Sequence, residues 1–469
     1  MQRDAPQTDH LNLRILAIAL LVSILCFFAR HDQIDDALIY ARYIANALHG
    51  LGLVFNVGEH INALTSPLYS YLVLSTAKII GGQVILATVL VSGIFFFLAC
   101  SLAESLVPFA GLLLASTGYF YSLVGMESST FLCMLLLTIF LVERERYNWL
   151  PTIAILLLLT RFESGALLLP VAAELYRRNR WPSAASFLPA GLIALLYLAL
   201  NRYWYGAFLP ASAGAKLGQG RSGYWGHWPF AFFHTAYQLK PEFIHTVYIL
   251  ILVALLAIPG ILRFAKTASS AFNRLVLPFL GILLAFYVLF NIPGYKWYYA
   301  PFICFAMIYA CAALPRTNLW RWAIVPLLLL STLSAAHRFR SLPPPSPTQN
   351  YTGIANWLLA NTPPTARVEA GEIGTLGFYC QRCYLMDILG LTLPKNAEHI
   401  AHKDSHSWLA EDHPDYVVVH QGDWGFENVV KRSPDYERVP VDFGSIVYLI
   451  RRKNSQPHES SATTGPTPP

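Results

Sequence analysis

The sequence is short of charge. Only 13% of its 469 residues are Asp, Glu, Lys or Arg, against 55% hydrophobic residues and a mean hydropathy of +0.45. A soluble domain carries about 25% charged residues. A chain with half that share cannot cover a water-facing surface with them, so a membrane protein is expected. The net charge of +6 does not rest on a basic patch interleaved with aromatics, which argues against a nucleic-acid partner. Lys and Arg sit instead in short clusters between apolar runs, where the positive-inside rule places them. No G-x-G-x-x-G occurs in a strand–helix context, which excludes a nucleotide-sugar site of the dinucleotide-binding kind. No internal repeat is visible, which counts against a transporter built from paired halves. Of the seven cysteines, Cys26, Cys100, Cys133, Cys304 and Cys311 lie in apolar runs as small hydrophobes. Cys380 and Cys383 form a lone C-x-x-C without a second ligand pair, so a disulfide or two inert thiols is expected rather than zinc.

What the sequence does have is long apolar runs. A helix needs about 20 mostly apolar residues to cross a bilayer. Runs that fit are 12–29, 84–101, 106–124, 127–142, 148–162, 164–176, 183–202, 244–262, 275–291, 299–315 and 320–336. The first lacks a small-residue cleavage site and reads as an uncleaved anchor. Arg144 and Arg146, then Arg177, Arg178 and Arg180, then Arg263, Lys266 and Arg274, then Arg316 and Arg321 mark cytoplasmic turns. That orientation puts the N-terminus inside, and residues 30–65, 203–243, 292–298 and everything after 336 outside. Residues 66–80 would break the parity of later loops if they crossed, so they are expected along the outer interface. The expected location is a bacterial inner membrane. Residues 1–336 then form the membrane domain, with the first outer loop at 30–65. Residues 337–349, with SLPPPSP, form a proline-rich hinge. Residues 350–453 form a small α/β domain, with a helix at Tyr351–Asn361 and strands at Ala366–Glu369, Cys383–Ile388, Tyr416–His420 and Ile446–Ile450. The tail 454–469 lacks apolar bulk and is expected to be disordered.

The first outer loop carries the most chemistry. A helix starting at Asp35 places Asp35, Ile39, Arg42 and Asn46 on one face and Asp36, Tyr40 and Tyr43 on the next, and ends at Gly50 or Gly52. Acidic residues suit the first turn of any helix because of its dipole. Two adjacent aspartates just beyond a span, followed by an arginine and two tyrosines, point further, to catalysis. A sugar on a polyprenyl phosphate carries its own leaving group. An enzyme using it needs one base for the acceptor hydroxyl and positive charge for the departing phosphate.

The stretch DDALIYARYIANALHGLGLVFNVGEHINALTSPLY strongly resembles the first outer loop of GT-C class glycosyltransferases, in particular the arabinofuranosyltransferase-like branch. Further elements follow in order: Gly125-Met126-Glu127, Arg161-Phe162-Glu163-Ser164, Tyr205-Gly206, Leu209-Pro210 and Ala215-Lys216. The chain departs from that pattern at Ala63, Phe162, Ser164 and Ala211. The resemblance implies a polytopic α-helical membrane protein of the GT-C fold, with about eleven spans and a small C-terminal extracytoplasmic α/β domain. It implies an enzyme that moves a sugar, arabinofuranose or a related pentose, from a polyprenyl-phosphate donor to a glycan, lipid-linked glycan or surface-protein acceptor. Asp35 resembles the catalytic base. Asp36 either supports it or helps hold a divalent cation with Glu127 or Glu163, which can equally be acids paired with an arginine. Arg42, Arg161, Lys216 and Lys296 are the candidates for the donor phosphate, although Lys296 also suits a snorkelling anchor. Tyr295, Trp297, Tyr298 and Tyr299 read either as an aromatic belt or as a sugar-stacking wall. His31, His49 and His60 lack metal-ligand spacing. The rival readings are a transporter or flippase of lipid-linked sugars and a non-catalytic envelope scaffold.

Overall fold

The structure, a computed structural model, describes residues 5–234, 236, 247–266, 271–314, 318–341, 350–422, 425–444 and 447–453. Its first two thirds are helical: α1 (Ala5–Ala29), α2 (Asp35–Leu48), α3 (Pro67–Ile79), α4 (Val84–Leu106), α5 (Ala110–Ser116), α6 (Gly118–Tyr121), α7 (Ser128–Glu143), α8 (Leu150–Leu158), α9 (Gly165–Arg178), α10 (Phe187–Tyr205), α11 (Ser212–Ser222), α12 (Ala231–His234), α13 (Val247–Ala265), α14 (Phe272–Leu289), α15 (Ala300–Ala313) and α16 (Asn318–Ser341). Among the described residues, Leu11–Ala29, Val84–Leu106, Ala184–Tyr205 and Phe272–Leu289 are long and apolar enough to cross a membrane. On α10, Leu188, Leu192, Leu195 and Leu196 are all exposed, a surface that water would penalise and lipid does not. The chain is a multi-pass membrane protein.

The run 106–124 is not one helix, contrary to the expectation. It is broken into α5 and α6 by Thr117, whose backbone is extended (φ −92°, ψ 114°). The break is enclosed by protein, because every residue of α5 is buried and the Thr117 hydroxyl donates to the Leu113 carbonyl at 2.7 Å. Irregular backbone at membrane depth survives under such cover. At the start of α5, Gly111 allows a close approach to α4, since a Cβ there would overlap the Cys100 carbonyl. The segment 66–80 forms α3, 13 residues long, which at 1.5 Å per residue is too short to cross.

α2 begins at Asp35 and ends at Leu48, capped by His49 and followed by Gly50 and Gly52 in left-handed backbone (φ +77° and +92°). Its residues Ala37–Asn46 are all buried. This is more than one amphipathic face, because the helix lies between the membrane helices and the C-terminal unit.

That unit runs α17 (Asn350–Asn361), β1 (Arg367–Ala370), α18 (Gly374–Tyr379), β2 (Tyr384–Asp387), α19 (Pro394–His402), α20 (Ser405–Asp412), β3 (Tyr416–His420), α21 (Asn428–Arg432), β4 (Tyr436–Arg438) and β5 (Val447–Arg452). The sheet order is β2-β1-β3-β5-β4. β1 pairs parallel with β2 and β3, while β5 pairs antiparallel with β3 and β4. β3 (YVVVH) is buried along its whole length, as strands covered on both faces are. The three-residue strand β4 carries no alternating pattern and was not anticipated. Chain connections leave β1 toward β2 and then cross back to β3 on the other side. The carboxyl ends of β1 and β3 therefore flank a topological switch point, where open α/β sheets place ligand sites. The start of the expected hinge is helical instead, because α16 continues to Ser341. The rest of the hinge, 342–349, and the tail 454–469 lie outside the described residues. Cys380 and Cys383 form a disulfide, and the other five cysteines are free and buried.

Candidate active site

The site is assembled where α18 docks on α2. The Asp35 carboxylate accepts the backbone N–H groups of Gly374 (2.8 Å) and Thr375 (2.7 Å), the first turn of α18. Two turns further along α2, Arg42 holds the other end. Its guanidinium donates to the carbonyls of Gly377 (2.7 Å), Cys380 (3.2 Å) and Cys383 (2.7 Å), as well as to Phe55 O (2.6 Å) and Asn56 Oδ1 (3.2 Å). A six-residue helix is not stable alone. Here an anion meets its N-terminus and a cation its C-terminal carbonyls, both complementary to its dipole. Gly374 is required for this contact, since a Cβ would overlap the Asp35 backbone carbonyl. Arg42 was expected to face the donor phosphate, and this expectation is corrected. It is 1% exposed and all five of its N–H donors are engaged, so it clamps the C-terminal unit to α2.

Asp36, on the neighbouring face, is half-buried and accepts no hydrogen bond among the described residues. Burial raises its carboxyl above the usual range, with Lys216 and then Arg161 opposing. Lys216 lies on α11, which packs against α19, so it stands between the membrane bundle and the C-terminal unit. It is half-buried, makes no ion pair within 4 Å among the described residues, and its Nζ sits 4.1 Å from the Tyr295 ring centroid. Burial lowers its pKa, while Asp36 and Asp387 hold it up. Asp387, at the end of β2, accepts the amides of Leu389 (2.8 Å), Leu391 and Thr392 (3.0 Å). Burial nonetheless pushes its carboxyl up to about 6.

Arg161 is spoken for. It pairs with Glu127 at 2.9 Å and Glu163 at 2.6 Å, and its guanidinium lies 4.6 Å from the Tyr298 ring centroid. Tyr40 and Tyr287 donate to the same two carboxylates, each at 3.3 Å. Glu127 and Glu163 are thus both paired with an arginine. Among the described residues no three His, Cys, Asp or Glu side chains are gathered to hold a metal ion. With both glutamates committed to Arg161, these residues do not fit a divalent cation. Asp32, in the loop before α2, bears on Lys296 and pairs with Arg338 at 3.4 Å. Tyr295 and Trp297 stack (4.9 Å, 3°) behind Lys216.

Several groups escaped the sequence reading. Glu372 follows β1 directly, two residues before the amide that binds Asp35. Burial, then the charges of Asp35, Asp36 and Glu427, push its carboxyl up to about 8. The signal for it was Gly371-Glu372-Ile373-Gly374 after a short buried strand, the place where α/β sheets carry ligand residues. A cavity of about 850 Å³ lies beside the C-terminal half of α2. Arg30, His31, His49 and Lys78 line it together with Leu86 and Phe378, and no acid does.

Comparison with known proteins fits this picture. A family described only as a domain of unknown function, DUF8728, matches residues 344–460. No curated protein matches the chain by sequence. Among solved structures, ArnT from Cupriavidus metallidurans in the apo state is similar, with TM-score 0.56 and 13% identity over 94% of this chain and 98% of that one. The archaeal oligosaccharyltransferase AglB from Archaeoglobus fulgidus, in complex with an inhibitory peptide and a dolichol-phosphate, gives TM-score 0.50 and 13% identity over 86% of this chain and 69% of that one. The arabinofuranosyltransferase AftD from Mycobacteria gives 0.47 and 14%, over 93% of this chain and 40% of that one. The fold is the GT-C fold.

Proposed function

We propose that this chain, with its GT-C fold, is an integral-membrane glycosyltransferase that moves a sugar from a polyprenyl-phosphate donor to an extracytoplasmic acceptor. Asp35 is the general base and Lys216 meets the departing phosphate. The observation that carries the reading is an oriented Asp35 carboxylate next in sequence to Asp36, whose charge bears on Lys216, an ammonium that makes no ion pair within 4 Å among the described residues. Two amide donors fix the Asp35 carboxylate and leave each oxygen a further lone pair, the arrangement a base needs. Burial raises its proton affinity and the neighbouring Asp36 adds to it, against the pull of the amides and of Thr375. In the transfer the acceptor O–H bond breaks and its proton goes to Asp35. The oxygen forms the new bond to the anomeric carbon as the carbon–phosphate oxygen bond breaks, with that electron pair leaving on the lipid phosphate. Lys216, against the Tyr295 face and with Asp36, Asp387 and Glu127 at longer range, is placed to stabilise that phosphate. The basic cavity beside α2 suits an anionic head group arriving from the lipid.

The sugar is a pentofuranose, most specifically arabinofuranose, on the strength of the first loop's resemblance. The dolichol-phosphate in the AglB structure supports a lipid-phosphate ligand for this fold. The acceptor is a cell-envelope glycan, a lipid-linked glycan or a surface protein. Residues 1–336 form the catalytic membrane domain in a bacterial inner membrane, with the N-terminus cytoplasmic. Residues 350–453 form the outer domain that meets the acceptor. The test is full-length protein in lipid nanodiscs or liposomes with synthetic polyprenyl-phosphate arabinofuranose and an envelope glycan. Mass spectrometry should find one glycosylated acceptor for each polyprenyl phosphate released. Movement of the intact donor across the liposome bilayer, with no bond cleaved, would sink the enzyme reading in favour of a flippase.

A further inference from the structure

The cavity of about 850 Å³ beside α2 takes in none of Asp35, Asp36 and Lys216. It lies where two candidate membrane spans end. Arg30 and His31 directly follow Leu11–Ala29, and Lys78, Gly81 and Gly82 shortly precede Val84–Leu106. The wall of the cavity is therefore at the depth of lipid head groups, just past the hydrocarbon. Its cations are unmatched. No acid lines it, and neither Arg30 nor Lys78 pairs with an acid within 4 Å among the described residues. Arg30 gives one N–H to the Phe27 carbonyl at 2.5 Å, which leaves four of its five donors. His31 and His49 each carry at least one ring N–H in any protonation state. The mouth stays open because Gly81 and Gly82 turn the chain in left-handed backbone (φ +75° and +85°). A Cβ at either would meet nothing within 4 Å.

Two apolar stripes lead from this cavity into the hydrocarbon. On α4, Leu86, Leu90, Ile94 and Leu98 are exposed, and Leu86 is also part of the cavity wall. At 1.5 Å per residue that stripe is about 18 Å long, close to the depth of about 15 Å of one leaflet. On α1, which packs on α4, Leu13, Leu16, Leu20, Ile24 and Phe27 are exposed. Steps of three and four residues keep each set on one helix face. The Phe27 ring meets the Arg30 guanidinium, 3.9 Å from its centroid. Any span turns leucines to lipid, but here both stripes end at the same unmatched cations.

We propose that this cavity binds an anionic phospholipid, its phosphate held by Arg30 and Lys78 and its two acyl chains laid along the α1 and α4 stripes. The site goes beyond the glycosyl transfer and does not depend on it. Two stripes suit a two-chain lipid better than a single polyprenyl chain. The head group also reaches the C-terminal unit, because Phe378 of α18 and Gln381, between the disulfide cysteines, complete the wall. The bound lipid thus ties the membrane edge to α18 and supports the docking that Arg42 clamps.

The test uses the full chain in nanodiscs of phosphatidylcholine, with phosphatidylglycerol as the probe lipid. Wild type is compared with Lys78→Gln and with the Arg30→Gln/Lys78→Gln pair. Lys78 is exposed in the last turn of α3, so its variant decides the matter even if loss of the Arg30 bond to Phe27 disturbs α1. The readouts are lipid retained on release into detergent, by native mass spectrometry, and protease protection of the C-terminal unit. Neither requires sugar transfer, so this site stands or falls apart from that reading. Wild type should keep one phosphatidylglycerol in preference to phosphatidylcholine, and its protection should rise with phosphatidylglycerol content. A basic group near an anionic membrane surface is worth about fivefold in binding. Lys78→Gln should therefore weaken retention about fivefold and the pair about 25-fold, and the pair should gain no protection from the lipid. Equal retention in wild type and both variants, or equal retention of the two lipids by wild type, overturns the proposal. Displacement of the phospholipid by an equal amount of polyprenyl phosphate overturns it in favour of a donor site. Protection by inorganic phosphate alone overturns it in favour of a free anion, and protection that ignores phosphatidylglycerol overturns the tie to α18.

Discussion

Replacing Asp35 by Asn separates two things the structure asks of one carboxylate. As a cap, Asp35 serves two amides with two oxygens. Asn offers one oxygen and an NH₂ group, so either Gly374 or Thr375 loses its acceptor. A buried donor left unmet costs about 1–3 kcal/mol, and that cost falls on the docking of α18, whose other end keeps the three Arg42 hydrogen bonds to the Gly377, Cys380 and Cys383 carbonyls. As a base, Asp35 is worth about 100- to 10,000-fold in rate, which is about 2.7–5.5 kcal/mol at 1.36 kcal/mol per factor of ten. The two ranges barely overlap, and a control distinguishes them. Arg42→Met removes the clamp at the far end of α18 and touches neither aspartate. The assay is single-turnover transfer from polyprenyl-phosphate arabinofuranose, with limited proteolysis reporting whether the C-terminal unit stays docked. Asp35→Asn should bind donor, resist protease nearly as wild type does, and transfer at least 100-fold more slowly, while Arg42→Met loses protection more than rate. Asp35→Asn within about fivefold of wild type, or no slower than Arg42→Met, would show that Asp35 is a helix cap and refute its role as base.

Lys216→Met should lower kcat by about 100- to 1000-fold, as loss of a donor to a developing anion does, with insertion unchanged and Lys216→Arg partly active; full activity in Lys216→Met would move the phosphate elsewhere, first to the basic cavity beside α2. Glu372 binds its proton more tightly in the folded chain, so its contribution to stability is complete below the unfolded carboxyl's pKa, near 4.3. That contribution is lost as pH rises from there through about 8. Thermal midpoints of the wild type should therefore fall over that window more steeply than those of Glu372→Gln, and parallel curves would contradict the burial of its charge. A cysteine placed at the exposed His402 should react with an impermeant thiol reagent in intact spheroplasts, where the five native free thiols are buried; labelling only after lysis would invert the proposed topology.

The shortage of charge and the length of the apolar runs are properties of the chain itself, and they demand lipid whatever the packing. The limits of α2 were legible for the same reason: acids at its first turn and glycines after its last are local requirements of helix ends. The periodicity of α2 placed Asp35 and Arg42 on one face, and the folded chain keeps them there. What they hold could not be read, because α18 lies more than 300 residues away in sequence and the resemblance of the loop suggested phosphate instead. The break at Thr117 was invisible in an unbroken apolar run, since no proline or charge marks it there and it is covered by packed protein. Tyr351, His420 and Glu427 are scattered over 77 positions of unremarkable sequence. They meet because α17 packs at the end of β3, and such packing is set by which apolar faces bury one another, not by any spacing along the chain. Composition and local periodicity report what each segment needs from its surroundings. Which groups end within hydrogen-bond reach is decided by long-range packing, and the chemistry of the site depends on that reach.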